Sequence, residues 1–83
     1  MSYKISAQKI ISELTKNNDL EIKYIDELKI IAKEFPDLHH YIDDSDIRKN
    51  DINYRIRQNN YLKEFLNYLN EGNLTKANQI SFL

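Results

Sequence analysis

The two histidines of this 83-residue chain stand side by side, His39-His40, with Asp37, Asp43 and Asp44 around them. On a helix His39 would reach Asp43 and His40 would reach Asp44, one turn on, which makes a donor set for zinc or another divalent ion conceivable. Adjacent histidines project about 100° apart, however, and motifs of real specificity place two histidines one turn from each other. The plainer reading is a solvated acidic corner at a helix junction, and no metal or cofactor is expected.

Nucleophilic chemistry finds no support. There is no cysteine, no serine held between glycines, and no glycine-rich phosphate loop. The carboxylates are numerous but scattered, and a chain of this length offers little volume for a water-excluding pocket. The expectation is a protein that is not an enzyme.

Charge is unevenly spread. Residues 34–46 carry Glu34, Asp37, Asp43, Asp44 and Asp46 without a lysine or arginine, whereas residues 48–63 carry Arg48, Lys49, Arg55, Arg57 and Lys63 against Asp51 alone. All three arginines lie in this second block, among Asn50, Asn53, Tyr54, Gln58, Asn59 and Asn60. Arginine and asparagine read phosphates and base edges, so a helix bearing Arg48, Lys49 and Arg55 would suit a nucleic-acid groove. The alternative is that the basic helix pairs with the acidic segment of its own chain, in salt bridges individually worth little. A formal net charge of −1 lacks the basic excess of a general nucleic-acid coat protein.

Ile47, Tyr54, Tyr61 and Tyr68 recur at seven-residue intervals, with Phe65 on their side. Ile52, Ile56, Leu62, Leu66 and Leu69 form a second apolar stripe. One helix of a small bundle needs only one stripe. Either this helix is central, with neighbours on both sides, or the tyrosines are a binding or dimerisation face, since Tyr and Arg are enriched at interfaces. Ile30, set among charges away from its helix's core face, adds a little to the second view.

The elements that must position these residues are helical. One Gly and one Pro allow few sharp turns. Tyr24, Ile25, Leu28, Ile31, Ala32 and Phe35 fall within an arc of roughly 120° at about 100° per residue, the firmest helical face in the chain. Before it, Ala7, Ile10, Ile11 and Leu14 share one side, joined by Tyr3 if Ser2 rather than Ser6 is the N-cap. Asn17-Asn18 would end this helix and Asp19 cap the next, giving an antiparallel helical hairpin. Pro36 stops the second helix and suits the first turn of a short third one, with Leu38, Tyr41 and Ile42 inward. Residues 43–46 are a polar break. From Tyr61 the pattern is firmly helical, but Ile52–Arg57 alternates with the period of a strand. A strand would lack a partner, so one long helix is preferred, kinked or broken near Asn50 or at Asn59-Asn60. Gly72 fits a helix C′ position, and Asn73 would cap a final short helix carrying Leu74, Ala77, Ile80 and Phe82. The fold class is therefore all-α, a compact bundle of four to five helices in a single domain spanning residues 1–83.

Two stretches are similar to known helical units. Tyr61–Ala77 resembles the hairpin of a tetratricopeptide repeat, with Tyr68, Gly72-Asn73 and Ala77 in favoured positions, although one copy makes no solenoid. The opening A-Q-K-I-I-S-E-L, followed by a second amphipathic helix, looks like the first hairpin of the four-helix immunity proteins that accompany small bacteriocins. That covers less than half the chain, and neither likeness assigns a family.

No apolar run is long enough to span a membrane, and the start has no apolar signal-peptide core, so a cytoplasmic protein is expected. The Ile, Lys and Asn content is what AT-rich coding DNA produces. The reading these features favour is a small inhibitor or regulator of a partner protein, of the immunity-protein, antitoxin or phage anti-defence type. Its candidate partner-binding residues are Arg48, Tyr54, Arg55, Arg57, Tyr61 and Tyr68, with room for a homodimer. A nucleic-acid-binding regulator using the Arg48–Arg57 helix is the runner-up.

Overall fold

The computed structural model describes residues 3–16 and 22–82, with side chains from residue 7 onward in the first segment and residue 23 in the second. Among them are six helices and no strand: α1 (Tyr3–Thr15), α2 (Ile22–Ile31), α3 (Leu38–Asp43), α4 (Ser45–Asn50), α5 (Ile52–Asn70) and α6 (Leu74–Gln79). The all-α class is as the periodicity predicts. The alternating stretch Ile52–Arg57 is helical, the first turns of α5. The Cα radius of gyration, 11.6 Å, agrees with the roughly 11.8 Å expected of a compact chain of this length.

The long C-terminal helix is divided near Asn50 and uninterrupted at Asn59-Asn60. Asp51 takes an extended backbone, φ −129° and ψ 104°, and its carboxylate accepts the Tyr54 backbone N–H at 3.1 Å. A short polar side chain that satisfies an orphan N–H of the first turn starts a helix efficiently. Asp51 therefore ends α4 and begins α5. At the other end, Gly72 adopts φ 77°, a conformation that costs a residue without a Cβ least. The Gly72 N–H donates to Leu69 O and the Asn73 N–H to Tyr68 O, at 3.1 and 2.8 Å. That pair of reversed bonds is the Schellman motif. Asn73 then caps α6, its side chain accepting from Lys76 N.

Helix α2 closes one turn earlier than Pro36 requires. It ends at Ile31, and residues 32–34 form a tightened turn in which Lys33 N donates to Ile30 O and Glu34 N to Ile31 O. Shortened bonds of this kind satisfy terminal carbonyls while swinging the chain into a new direction. The turn keeps Ala32 and Phe35 in the interior with Leu28 and Ile31, and Tyr24 and Ile25 pack half-buried beside them. The predicted face is thus intact although its last residues are not α-helical.

Helix α5 is the element on which α1, α4 and α6 all pack. Leu62, Phe65, Leu66 and Leu69 form its buried stripe, facing Ala7, Ile10 and Leu14 among others. Each large apolar side chain removed from water in this way contributes about 1.5–3 kcal/mol. The α1–α2 hairpin expected from the short joint is displaced by this packing, since α1 finds its main neighbour in α5, the longest apolar face available. The proposed caps and joint at Ser2, Ser6, Asn17, Asn18 and Asp19, and the Tyr3 side chain, lie outside the described residues.

Four rings complete the core. Phe35 meets Phe65 with centroids 5.2 Å apart, Phe65 meets Phe82 at 5.8 Å, and Phe82 meets Tyr41 at 6.1 Å, all edge to face. This geometry sets the positive ring edge against a negative face and adds about 0.5–1.5 kcal/mol per pair beyond burial. Leu38 and Tyr41 point inward as predicted and Ile42 is half-buried, whereas Leu74 is 51% exposed and Phe82, from beyond α6, is buried.

Candidate partner-binding face

Projected at about 100° per residue, α5 has three longitudinal zones. The buried stripe is flanked on one side by Tyr54, Tyr61 and Tyr68, all half-buried, and on the other by Ile52 and Ile56, both exposed. The two apolar stripes of the sequence are therefore redistributed. The leucines and Phe65 are core, Tyr61 and Tyr68 pack half-buried on the core's edge, and the isoleucines are left outside.

Tyr54 is tied at both ends. Its backbone N–H reaches Asp51, and its hydroxyl donates to Asp44 Oδ2 over 2.5 Å. Asp44 is the N-cap residue of α4 but makes no side-chain cap bond, its carboxylate being engaged by the phenol. The Tyr54 pKa is raised above 10.0, first because the hydroxyl proton is held by Asp44, then through burial and the negative charge of that carboxylate; Arg57 and Arg48 oppose the shift. The Arg57 guanidinium lies 5.3 Å from the Tyr54 ring centroid, and the Lys76 ammonium lies 5.8 Å from that of Tyr68. Cations at this distance from an aromatic face are held weakly at exposed sites, so Arg57 remains presented to solvent.

Arg48 is placed differently from the surface role expected of it. It is fully buried, with its guanidinium 3.8 Å from the Tyr41 ring centroid and Nη1 donating to the Tyr41 carbonyl. The Tyr41 hydroxyl in turn donates to Asn59 Oδ1 at 2.7 Å. Arg48, Tyr41 and Asn59 thus form a polar knot linking α3, α4 and α5. Gln58, beside it on α5, is 1% exposed, and neither end of its amide has a hydrogen-bond partner. Arg55 is half-buried with Nε enclosed and likewise without an acceptor. The sequence groups Gln58 and Asn59 with the polar surface of the arginines, and both are interior instead; the signal for Gln58 is that it precedes Leu62 by one turn and extends the leucine stripe toward the N-terminus. Nothing in the spacing marks Arg48 as interior.

Lys49, Arg55, Arg57 and Lys63 form no ion pair among the described residues, so none of these four is salt-bridged to the acidic segment. The Asp44–Tyr54 hydrogen bond supplies the link instead. His39 and His40 are exposed, and among the described residues no three His, Cys, Asp or Glu side chains gather to hold a metal. No described helix is long and apolar enough to cross a membrane. Comparison with protein-family models, with curated proteins and with solved structures returns no match.

Proposed function

We propose that this chain is a non-enzymatic protein-binding module, an inhibitor or regulator of a partner protein of the immunity-protein, antitoxin or phage anti-defence type. The supporting observation is the tyrosine flank of α5. Tyr54, Tyr61 and Tyr68 lie along one edge, each half-buried, and Arg57 stands over the first of them. Tyrosine offers a large rigid contact at small entropic cost, and interface hot spots are enriched in Tyr and Arg. Because these rings are already braced by the core or by Asp44, a partner would gain their area with little ordering penalty. Arg48 takes no part in this face, and Arg55 contributes through its exposed portion alone.

The test is recovery of a partner by the tagged chain from host lysate, with nuclease in parallel, comparing wild type with Arg57→Glu combined with Tyr61→Ser. A protein retained after nuclease and lost with the double variant, at unchanged helicity, is the expected result. Recovery that vanishes with nuclease and falls steeply with salt would replace this reading by nucleic-acid binding through Lys49, Arg55 and Arg57.

A further inference from the structure

Asp51 stands alone between α4 and α5. Its extended backbone, φ −129° and ψ 104°, is the single departure from helix between Ser45 and Asn70. On either side the helical bonding continues, with Asp51 N donating to Ile47 O at 2.9 Å and Arg55 N to Asp51 O at 3.0 Å, each to a carbonyl four residues back. Among the described residues the Ile52 and Asn53 N–H groups have no backbone partner, the usual state of a helix's first turn. No Gly or Pro lies between Ser45 and Asn70. Rotation at Asp51 alone would therefore join α4 and α5 into one helix and give those donors the Arg48 and Lys49 carbonyls.

Such a rotation would part the two halves of the core. The contacts that close the interior run across residue 51. Helices α1 and α4 pack on α5, Phe35 meets Phe65 and Tyr41 meets Phe82. The Tyr41 and Tyr54 hydroxyls donate to Asn59 and Asp44. Helix α4 itself buries only Arg48. Within one chain a straight α4–α5 helix would separate all these groups. The surface that the C-terminal half would then lack is, residue for residue, the one carried by the N-terminal half of a second copy.

We propose that Asp51 is the hinge of a domain-swapped homodimer. In it the segment up to Asn50 of each copy packs on residues 52–82 of the other, and a straight helix from Ser45 to Asn70 runs through each hinge. Every contact named above is remade between copies, so exchange costs little beyond association and the two Asp51 caps. The Asp51 carboxylate, which accepts from Tyr54 N, favours the bend and hence the closed monomer; the exchanged form gains as concentration rises. Opening must precede exchange, so a dimer once formed separates slowly on dilution. The tyrosine flank is rebuilt in each unit, and the proposal does not rest on the partner reading.

Gel filtration tests it, after the full chain has been held at millimolar concentration in urea near its unfolding midpoint and then diluted. Wild type should yield a dimer of native helicity that reverts slowly to monomer. Ile52→Pro is the lock. Ile52 is 59% exposed and opens α5, a position that accepts proline after an extended residue. In a straight helix the same proline lacks the N–H for Arg48 O and collides with that carbonyl. Ile52→Pro should melt as wild type and stay monomeric, while Ile52→Ser, which keeps the N–H, should still dimerise. Asp51→Ala weakens the cap of both monomers and should raise the association constant about thirtyfold. The proposal is overturned if wild type and Asp51→Ala both stay monomeric. A dimer that forms equally with Ile52→Pro, or is lost with Ile52→Ser, overturns it as well.

Discussion

The Tyr54 hydroxyl donates to the carboxylate of Asp44, ten residues earlier, over 2.5 Å. Since the Tyr54 N–H is also bound by Asp51, one residue joins the starts of α4 and α5 and fixes the angle between them.

Tyr54→Phe should therefore lower stability by about 1 kcal/mol, the net worth of a partly exposed hydrogen bond to a charged acceptor. The bond raises the Tyr54 pKa in the folded state above its ordinary 10.0. Its contribution is then complete below pH 10 and is lost as pH rises through the folded-state value. Urea denaturation of both proteins should show a constant gap from neutrality to about pH 10 that closes in stronger alkali. A gap that widens with alkali would contradict the assignment.

Arg48 and Arg57 should behave oppositely on truncation. Arg48→Ala removes a buried side chain that holds the Tyr41 carbonyl and covers its ring, and should cost about 2–4 kcal/mol. Arg57→Ala touches an exposed residue and should stay within about 0.5 kcal/mol. Thermal melts of the two variants, side by side, decide which arginine is interior.

Gln58→Met should stabilise the protein. The unbranched thioether fills nearly the same volume, and the unmade hydrogen bonds of the amide disappear with it, a gain of about 1–2 kcal/mol. Chemical denaturation should show a higher midpoint with the slope unchanged; a lower midpoint would mean that the amide is satisfied in solution.

Gly72 can be replaced without collision, because nothing lies within 4 Å of the position a Cβ would take. The cost of Gly72→Ala is then conformational alone, about 1 kcal/mol for the left-handed backbone, and Gly72→Asn should recover part of it. Equal losses for Ala and Asn in a denaturation series would argue for a hidden steric contact.

Much of the fold is written in local pattern. The α2 face, the Leu38 and Tyr41 anchors, and the Gly72-Asn73 joint each follow from spacing and backbone chemistry, and each is found where that chemistry puts it. What the pattern could not convey is competition between distant partners. Asp44 reads as part of a solvated polar break, yet its carboxylate is taken by a phenol from another helix. Arg48 reads as a surface cation, yet the Tyr41 ring and carbonyl draw it inside. The heptad tyrosines look equivalent, but tertiary contacts give Tyr54 a hydrogen bond and leave Tyr61 and Tyr68 leaning on the core. Helix α1 chooses α5 over its sequence neighbour for the same reason, since apolar area is gained wherever the longest complementary face lies.

The ring that closes the core comes from beyond the last helix. Phe65 touches both Phe35 and Phe82, so a nascent chain that has emerged only as far as α5 holds an aromatic socket with one wall missing. The helices carry their own backbone bonds, but that wall of the interior is supplied only by residue 82. A chain cut within α6 should therefore keep its helices but leave the Phe65 and Tyr41 rings without their neighbour, and expose them to proteases.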